Sequence, residues 1–136
     1  MEKKRTFDLE DRLIDFAVLT SDIAERLPKS ESGKYHTGQL IRSGTAPALV
    51  YGEAQSAESR KDFIHKIKIL LKELRETRIN LKIIAKKRLL PDSDNLQAAL
   101  KESDELIRIF VKSTETARKN QGKISNNEHR ILNIEV

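Results

Sequence analysis

The feature of this chain that most clearly indicates a chemical role is a row of cations along one helix-length segment, residues 59–88. Six lysines and arginines recur there at helical spacing, and we call them the basic stripe: Lys61, Lys68, Lys72, Arg75, Lys82 and Lys86. At about 100° per residue they share a sector of roughly 80° of a helix surface. Cations in such a row can contact successive phosphates and release the counterions held there. The pattern predicts a face that binds RNA or DNA.

A second interpretation of the same charges stays open. Residues 59–88 hold eleven lysines and arginines against three acids, whereas residues 8–27 hold two bases against six acids. The stripe can therefore be the solvated face of a helix whose charges serve subunit assembly, through the acidic first segment of a neighbouring copy, or bind an acidic protein partner.

Residues for catalysis or for metal binding are scarce. The chain has no cysteine, which excludes disulfides, thiolate metal sites and a thiol nucleophile. Its histidines are His36, His65 and His129, and none has the spacing of a zinc site. Asp62 and His65 form one acid-x-x-His pair, whereas di-metal bundles use two such motifs. We expect no catalytic residue, no metal, no cofactor and no small-molecule substrate, and hence no enzyme.

Composition narrows the binding mode and the location. Aromatic residues make up 4% of the chain and tryptophan is absent, so a nucleic acid would be held through phosphates rather than by base stacking. No apolar run approaches the roughly 20 residues of a membrane span, and the charged start has no signal-peptide core. We expect a cytoplasmic protein without membrane contact.

Periodicity and stop signals divide the chain into four helices. Asp8 and Ser59 are candidate N-caps, Ser93 or Asp94 can cap the last helix, and Pro28, Pro91 and Gly122 are stops. The predicted helices are residues 8–27, 35–56, 59–88 and 93–120, followed by a tail at 121–136. A seam of alternating four- and three-residue steps marks the inner face of the third helix: Phe63, Ile67, Leu70, Leu74, Thr77, Leu81 and Ile84.

The second helix carries the most unusual residues. Leu40, Ile41, Ala48, Leu49 and Tyr51 are its expected buried members.

Pro47 lies within that helix, so we expect a kink there or two shorter helices meeting near Ala46. Gly44 and Gly52 either let another helix approach closely or simply weaken this one. Arg42 and Glu53 have small or apolar neighbours, and we expect a buried structural ion pair that fixes helix register.

Length and loops set the architecture. A chain of 136 residues suits one domain with one core, and short loops make consecutive helices antiparallel neighbours. We predict an all-α fold, a left-handed up-and-down antiparallel four-helix bundle. The alternative is a coiled-coil hairpin of the third and fourth helices with the first two folded beside it.

Several runs of residues, in order, resemble a known family. They are Gln39 to Pro47 (QLIRSGTAP), Tyr51 to Ala54 (YGEA), Ala57 to Lys66 (AESRKDFIHK) and Lys72 to Thr77 (KELRET). Over roughly residues 5–120 the chain is similar to the bacterial "four helix bundle protein" family, also called the intervening-sequence protein family because some members are encoded within insertions of large-subunit ribosomal RNA genes.

The resemblance carries its own expectations. It implies an up-and-down bundle, a ring-like homopentamer, and kinship with the accessory variability determinants of diversity-generating retroelements, which are basic bundles that bind nucleic acid and a reverse transcriptase. Many relatives end the second helix with Asn-x-x-Glu-Gly, where this chain has Leu49 to Ala54 (LVYGEA). That difference places the chain in another branch.

Overall fold

Four α-helices make up nearly all of the described chain. The computed structural model describes residues 8–91 and 93–128, with side chains as far as Asn120. The helices are α1 (Leu9–Glu25), α2 (Glu31–Gln55), α3 (Arg60–Lys87) and α4 (Asp94–Glu128). These described ranges contain no strand.

The helices pack as an all-α four-helix bundle, as predicted. Each helix packs on the next in chain order, and α4 closes on α1. In the antiparallel pair α1 and α2, the Thr37 hydroxyl donates to the Ala24 carbonyl near the connecting loop, and Gly44 meets Thr20 further along. The bundle therefore replaces the alternative coiled-coil hairpin.

Side-chain caps begin three helices where the sequence predicted them. Asp8, Ser59 and Ser93 each accept a hydrogen bond from the backbone N–H three residues later, at 3.1, 3.0 and 3.2 Å. Each bond satisfies one amide that has no partner within its helix. Of the two candidate caps for α4, the serine makes the contact.

The start of α2 was predicted four residues too late. Ser30 caps the helix by accepting from the Gly33 N–H at 3.1 Å, so the helix begins at Glu31 rather than near Tyr35. A β-carbon at position 33 would collide with the Pro28 backbone. Gly33 lies between the first two predicted helices, and in the structure it is the residue that lets the chain turn tightly into α2.

Two expected breaks do not interrupt their helices. Pro47 lies inside α2, which is continuous from Glu31 to Gln55 rather than divided near Ala46. Proline removes the amide that would bond to the Ser43 carbonyl, and it is itself buried in the bundle. The backbone of α4 continues through Gly122 to Glu128, so that glycine is not a stop. The rest of the predicted tail, residues 129–136, lies outside the described residues.

The core is a continuous layer of aliphatic and aromatic side chains from all four helices. It includes Leu13, Phe16 and Ile23 of α1, Leu40 of α2, Ile67, Leu70, Leu74, Leu81 and Ile84 of α3, and Leu96, Leu106 and Phe110 of α4. Of the predicted α3 seam, six members are buried, and Phe63 is half-buried.

The inner face of α2 differs from the prediction. Ile41 and Leu49, expected in the core, are 37% and 66% exposed. Their inward places are taken by smaller or polar residues: Gly33, His36, Ser43, Gly44 and Pro47. Two large apolar side chains of this helix are therefore left at the surface.

A bidentate ion pair fastens α1 to α4. The Arg12 guanidinium donates to Glu102 at 2.8 and 2.9 Å and to Glu105 at 3.0 Å. The hydrogen bond to Glu102 is the main cause that raises the pKa of Arg12, although partial burial opposes the rise. In the described part of the chain, no helix is long and apolar enough to cross a membrane.

Candidate nucleic-acid interface

All six residues of the basic stripe are exposed on the outer side of α3. The inner side of this helix is buried against α2 and α4, so its packing fixes which way the stripe points. Among the described residues, none of the six forms an ion pair or a side-chain hydrogen bond. Within the described ranges, the stripe is therefore a single-sign row whose charge no ion pair neutralises.

The acids of α3 do not compensate the stripe because they point elsewhere. Glu73 and Glu76 turn toward α2, where both accept hydrogen bonds from Arg42. Asp62 is half-buried in the first turn, next to its cap Ser59. The sequence shows three acids in this segment, and the fold directs two of them to a partner on another helix.

The predicted buried pair of Arg42 and Glu53 is wrong. The two side chains are 50% and 58% exposed, and each pairs with α3 instead of with the other. Arg42 binds Glu73 at 3.2 Å and also binds Glu76, while Glu53 accepts from Lys66 at 3.0 Å. Eleven residues of helix separate Arg42 from Glu53 by about 16 Å, which side chains on one helix cannot span. The pairs still join α2 to α3, but at the bundle surface.

A second row of cations lies on α4, which sequence reasoning missed. We call Lys101, Arg108, Lys112 and Lys119 the α4 row. All four are exposed, and their positions share a sector of about 40°. None of them has an ion-pair partner in the described part of the chain.

The α4 row was missed in the sequence because the segment that contains it has no net charge. Residues 94–120 contain five bases and five acids, so the segment looks neutral. The structure commits three of those acids to other helices: Glu102 and Glu105 pair with Arg12, and Asp104 pairs with Arg78 at 2.7 Å. A search for cations alone at helical spacing, without subtracting acids, would have found the row.

A shallow depression separates the stripe from α4. Lys68 and Arg75 line it on the α3 side, with Arg118 and Glu115 on the α4 side. Three cations and one carboxylate line this depression, so the surface between the two rows also carries net positive charge. The basic surface is therefore continuous across the α3/α4 side of the bundle.

Exposed isoleucines interrupt the far end of the stripe. Ile79 and Ile83 are exposed and lie together with Lys82 and Lys86 on one small apolar surface. The sequence prediction treated this end as charge alone. An apolar patch beside lysines can bury area against a protein as well as attract an anion.

Buried polar groups lie between α2 and α3, away from the basic surface. The Nδ1 atom of His36 donates to the amide oxygen of Asn80 at 3.2 Å, and the Thr77 hydroxyl donates to Ser43 at 2.9 Å. His36 shares the inward spacing of Leu40, which was the available signal for its burial. These contacts satisfy polar groups within the core.

Of the remaining two histidines, His65 is exposed on α3 one turn after Asp62, and His129 lies outside the described residues. Among the described side chains, no three histidines or carboxylates come together in a way that could hold a metal ion.

A polar recess lies where the end of α2 meets the start of α3 and the middle of α4. Its lining includes Ser59, Arg60, Ser113 and Asn120. The Nε atom of Arg60 is buried there without a hydrogen-bond partner in the described structure. Gln55, Glu58 and Thr116 also line the recess, and its lining contains neither a histidine nor a cysteine.

The fold and this surface define an all-α four-helix-bundle protein with a basic side formed by α3 and α4. The chain is similar to a solved protein of unknown function from the S23 ribosomal protein family of Bacteroides thetaiotaomicron. The two are 27% identical, with a TM-score of 0.71 over 77% of this chain and 96% of that one. No protein-family model matches the chain, and no curated protein does so either.

Proposed function

We propose that this protein is a non-enzymatic, cytoplasmic, oligomeric bundle that binds nucleic acid through phosphate contacts made by the basic stripe. The protein contributes six exposed cations in one row, and the ligand contributes the anionic backbone of RNA or DNA. Binding of this kind is independent of base sequence and weakens as salt rises.

The observation that carries the proposal is the contrast between paired and unpaired cations. Four other basic residues, Arg12, Arg42, Lys66 and Arg78, each bind a carboxylate on a neighbouring helix. The six stripe residues have no such partner among the described residues. Like charges held along one helix repel each other, and a polyanion relieves that repulsion.

Oligomerisation strengthens a stripe of this size. A row of six contacts on one copy binds weakly at physiological salt, whereas linked copies bind with a high effective concentration. The family resemblance implies a ring-like homopentamer, and the exposed apolar residues Ile41, Leu49, Ile79 and Ile83 offer area for association. The similar Bacteroides protein carries a ribosomal-protein family name, although its own function is unknown.

The test is a salt series of nucleic-acid binding with a charge-reversed variant. We expect the unmodified protein to retain RNA and DNA at low salt, with log K falling linearly against log salt. Lys72→Glu with Arg75→Glu removes two phosphate contacts from the middle of the stripe. The slope should fall by about 2 in magnitude.

A matched control separates the stripe from overall charge. Lys29→Glu with Lys34→Glu changes the net charge equally at exposed positions on the α1–α2 loop and α2. This control should bind like the unmodified protein. Absence of retention at low salt, or equal loss in both variants, would refute the proposal.

A second candidate function is an assembly module, favoured by a complementarity between α1 and α3. Ile14 and Val18 are exposed on α1, four residues apart, and α1 also exposes the acids Asp11, Asp15 and Asp22. On α3, Ile79 and Ile83 have the same spacing and lie among lysines. The acidic face of one copy therefore suits the basic face of the next, which is a heterologous contact.

A charge swap distinguishes this candidate from the first. Lys82→Glu with Lys86→Glu should lower the mass measured by light scattering in nucleic-acid-free protein. Adding Asp15→Lys and Asp22→Lys to the same chain should restore the mass, because the attraction is rebuilt with opposite signs. An unchanged mass in the first variant would exclude assembly through these faces.

A further inference from the structure

The α4 row lies beside the basic stripe on the adjacent helix of the same side of the bundle. The stripe extends from Lys61 to Lys86, about 37 Å of helix, and the α4 row from Lys101 to Lys119, about 27 Å. Arg78 of α3 pairs with Asp104 of α4, which marks where the two helices face each other. At about 100° per residue each row is centred roughly 60–80° from that position on its own helix, so the two rows border the same α3/α4 groove. The described part of the chain thus presents two tracks of cations that have no ion-pair partner within it.

Helices packed like α3 and α4 have axes whose separation is of the same order as the grooves of a nucleic-acid duplex. Packed helix axes are about 8–10 Å apart, and the two sets of side chains leave their helices on the outside. The grooves of B-form DNA are about 6 and 12 Å wide, with a phosphate strand along each edge. A duplex therefore offers two phosphate tracks at a spacing of the same order, while a single strand offers one.

Aromatic residues give an independent indication against single strands. Proteins that hold single strands without sequence preference stack the bases on exposed aromatic rings. Among the described residues, Tyr35 is the exposed aromatic side chain, at 61%, and it belongs to α2. Phe110 is buried and Phe63 is half-buried, so neither offers an open ring face on the α3/α4 side.

From these observations we propose that the α4 row is a second phosphate-binding track, and that the two tracks together select a nucleic-acid duplex over a single strand. This inference rests on the proposed function, since it names the form of nucleic acid that the basic surface takes. In the bound state the stripe contacts one phosphate strand and the α4 row contacts the other. Base edges are not read.

The experiment compares duplex and single strand with each track altered in turn. The probes are a mixed-sequence DNA duplex of about 20 base pairs, longer than the roughly 11 that the stripe can span, the matching RNA duplex, and each strand alone. The variant is Lys101→Glu with Lys112→Glu, and the matched control is Lys29→Glu with Lys34→Glu. Salt slopes are measured for every combination.

We expect tighter binding to at least one duplex than to its separate strands. The α4-row variant should reduce the duplex slope by about 2 and leave the single-strand slope unchanged. Circular dichroism and thermal unfolding show whether each variant keeps its fold, and all four substituted positions are exposed, so folding should persist.

The remaining outcomes distinguish failure of the two-track inference from failure of the proposed function. If single strands bind as tightly as duplexes, or if the α4-row variant binds duplex normally, the two-track inference is overturned while the proposed function stands. If salt-sensitive binding is absent for every probe, the proposed function fails and the inference fails with it. A preference between the DNA and RNA duplexes identifies the source of the phosphates and supports the inference in either case.

Discussion

Gly44 of α2 lies so close to Thr20 of α1 that a β-carbon at position 44 would overlap the threonine side chain. The Thr20 hydroxyl donates to the Ala17 carbonyl at 3.1 Å, and the residue is fully buried, so it has little freedom to move aside. One of the two expected reasons for the α2 glycines, close helix approach, therefore applies at Gly44. At Gly52 an added β-carbon would meet nothing within 4 Å.

The two glycines give a matched pair of variants. Gly44→Ala should lower the free energy of unfolding by about 1–3 kcal/mol because of overpacking. Gly52→Ala should raise it by about 0.5–1 kcal/mol, since alanine is the better helix former in open space. Urea unfolding followed by circular dichroism measures both. A rise in both variants would show that α1 and α2 have room to separate.

The buried hydrogen bond between His36 and Asn80 should contribute to stability, because each side chain supplies the hydrogen-bond partner of a buried polar group on the other. Asn80→Leu leaves the imidazole N–H buried without its acceptor and should cost about 1–3 kcal/mol. Replacing both residues by leucine should cost less than the sum of the single changes, because no polar group is then stranded. The quantities compared are unfolding free energies from denaturant titrations, and strict additivity would show that the contact carries no coupling.

Arg88 ends α3 in the left-handed conformation, with φ of 57°. Its N–H bonds to the Ala85 carbonyl, and the Leu89 N–H bonds to the Ile84 carbonyl, which is the pattern that usually takes glycine at this position. Arg88→Gly should therefore raise the free energy of unfolding by about 1 kcal/mol. Arg88→Ala is the control and should give no such gain, since alanine keeps the steric penalty.

Paired and unpaired lysines on α3 should differ in their effect on nucleic-acid binding. Lys72 has no ion-pair partner in the described structure, while Lys66 binds Glu53 at 3.0 Å, and that hydrogen bond raises its pKa. Lys72→Gln should lower the salt slope of nucleic-acid binding by about 1, whereas Lys66→Gln should leave it nearly unchanged. Equal effects would mean that net charge, rather than the stripe, determines affinity.

Much of the fold was readable because helix periodicity and capping are local properties. The caps Asp8 and Ser59 and the α3 seam follow from residues three and four apart, which the chain places together without tertiary help. The start of α2 was less accurate, because Ser30 and Gly33 are residue types typical of a loop. Only the structure shows that a β-carbon at position 33 would collide with the Pro28 backbone, so that glycine is needed there. The exposure of Ile41 and Leu49 was missed for a related reason: small residues occupy the inward face where larger ones were expected.

The sequence by itself determined four amphipathic helices and the single sign of the stripe, because both depend on spacing along one helix. It also determined the antiparallel order of the helices, because the loops between them are short. The tertiary structure alone decided which charges remain unpaired. Arg42 and Glu53 bind α3 rather than each other, and Glu102, Asp104 and Glu105 bind arginines on other helices. As far as the structure describes the chain, the α4 row is left without an ion pair. These ion pairs join residues that are far apart in the chain. Helix packing determines which residues pair, and a pattern of residues along one helix cannot predict it.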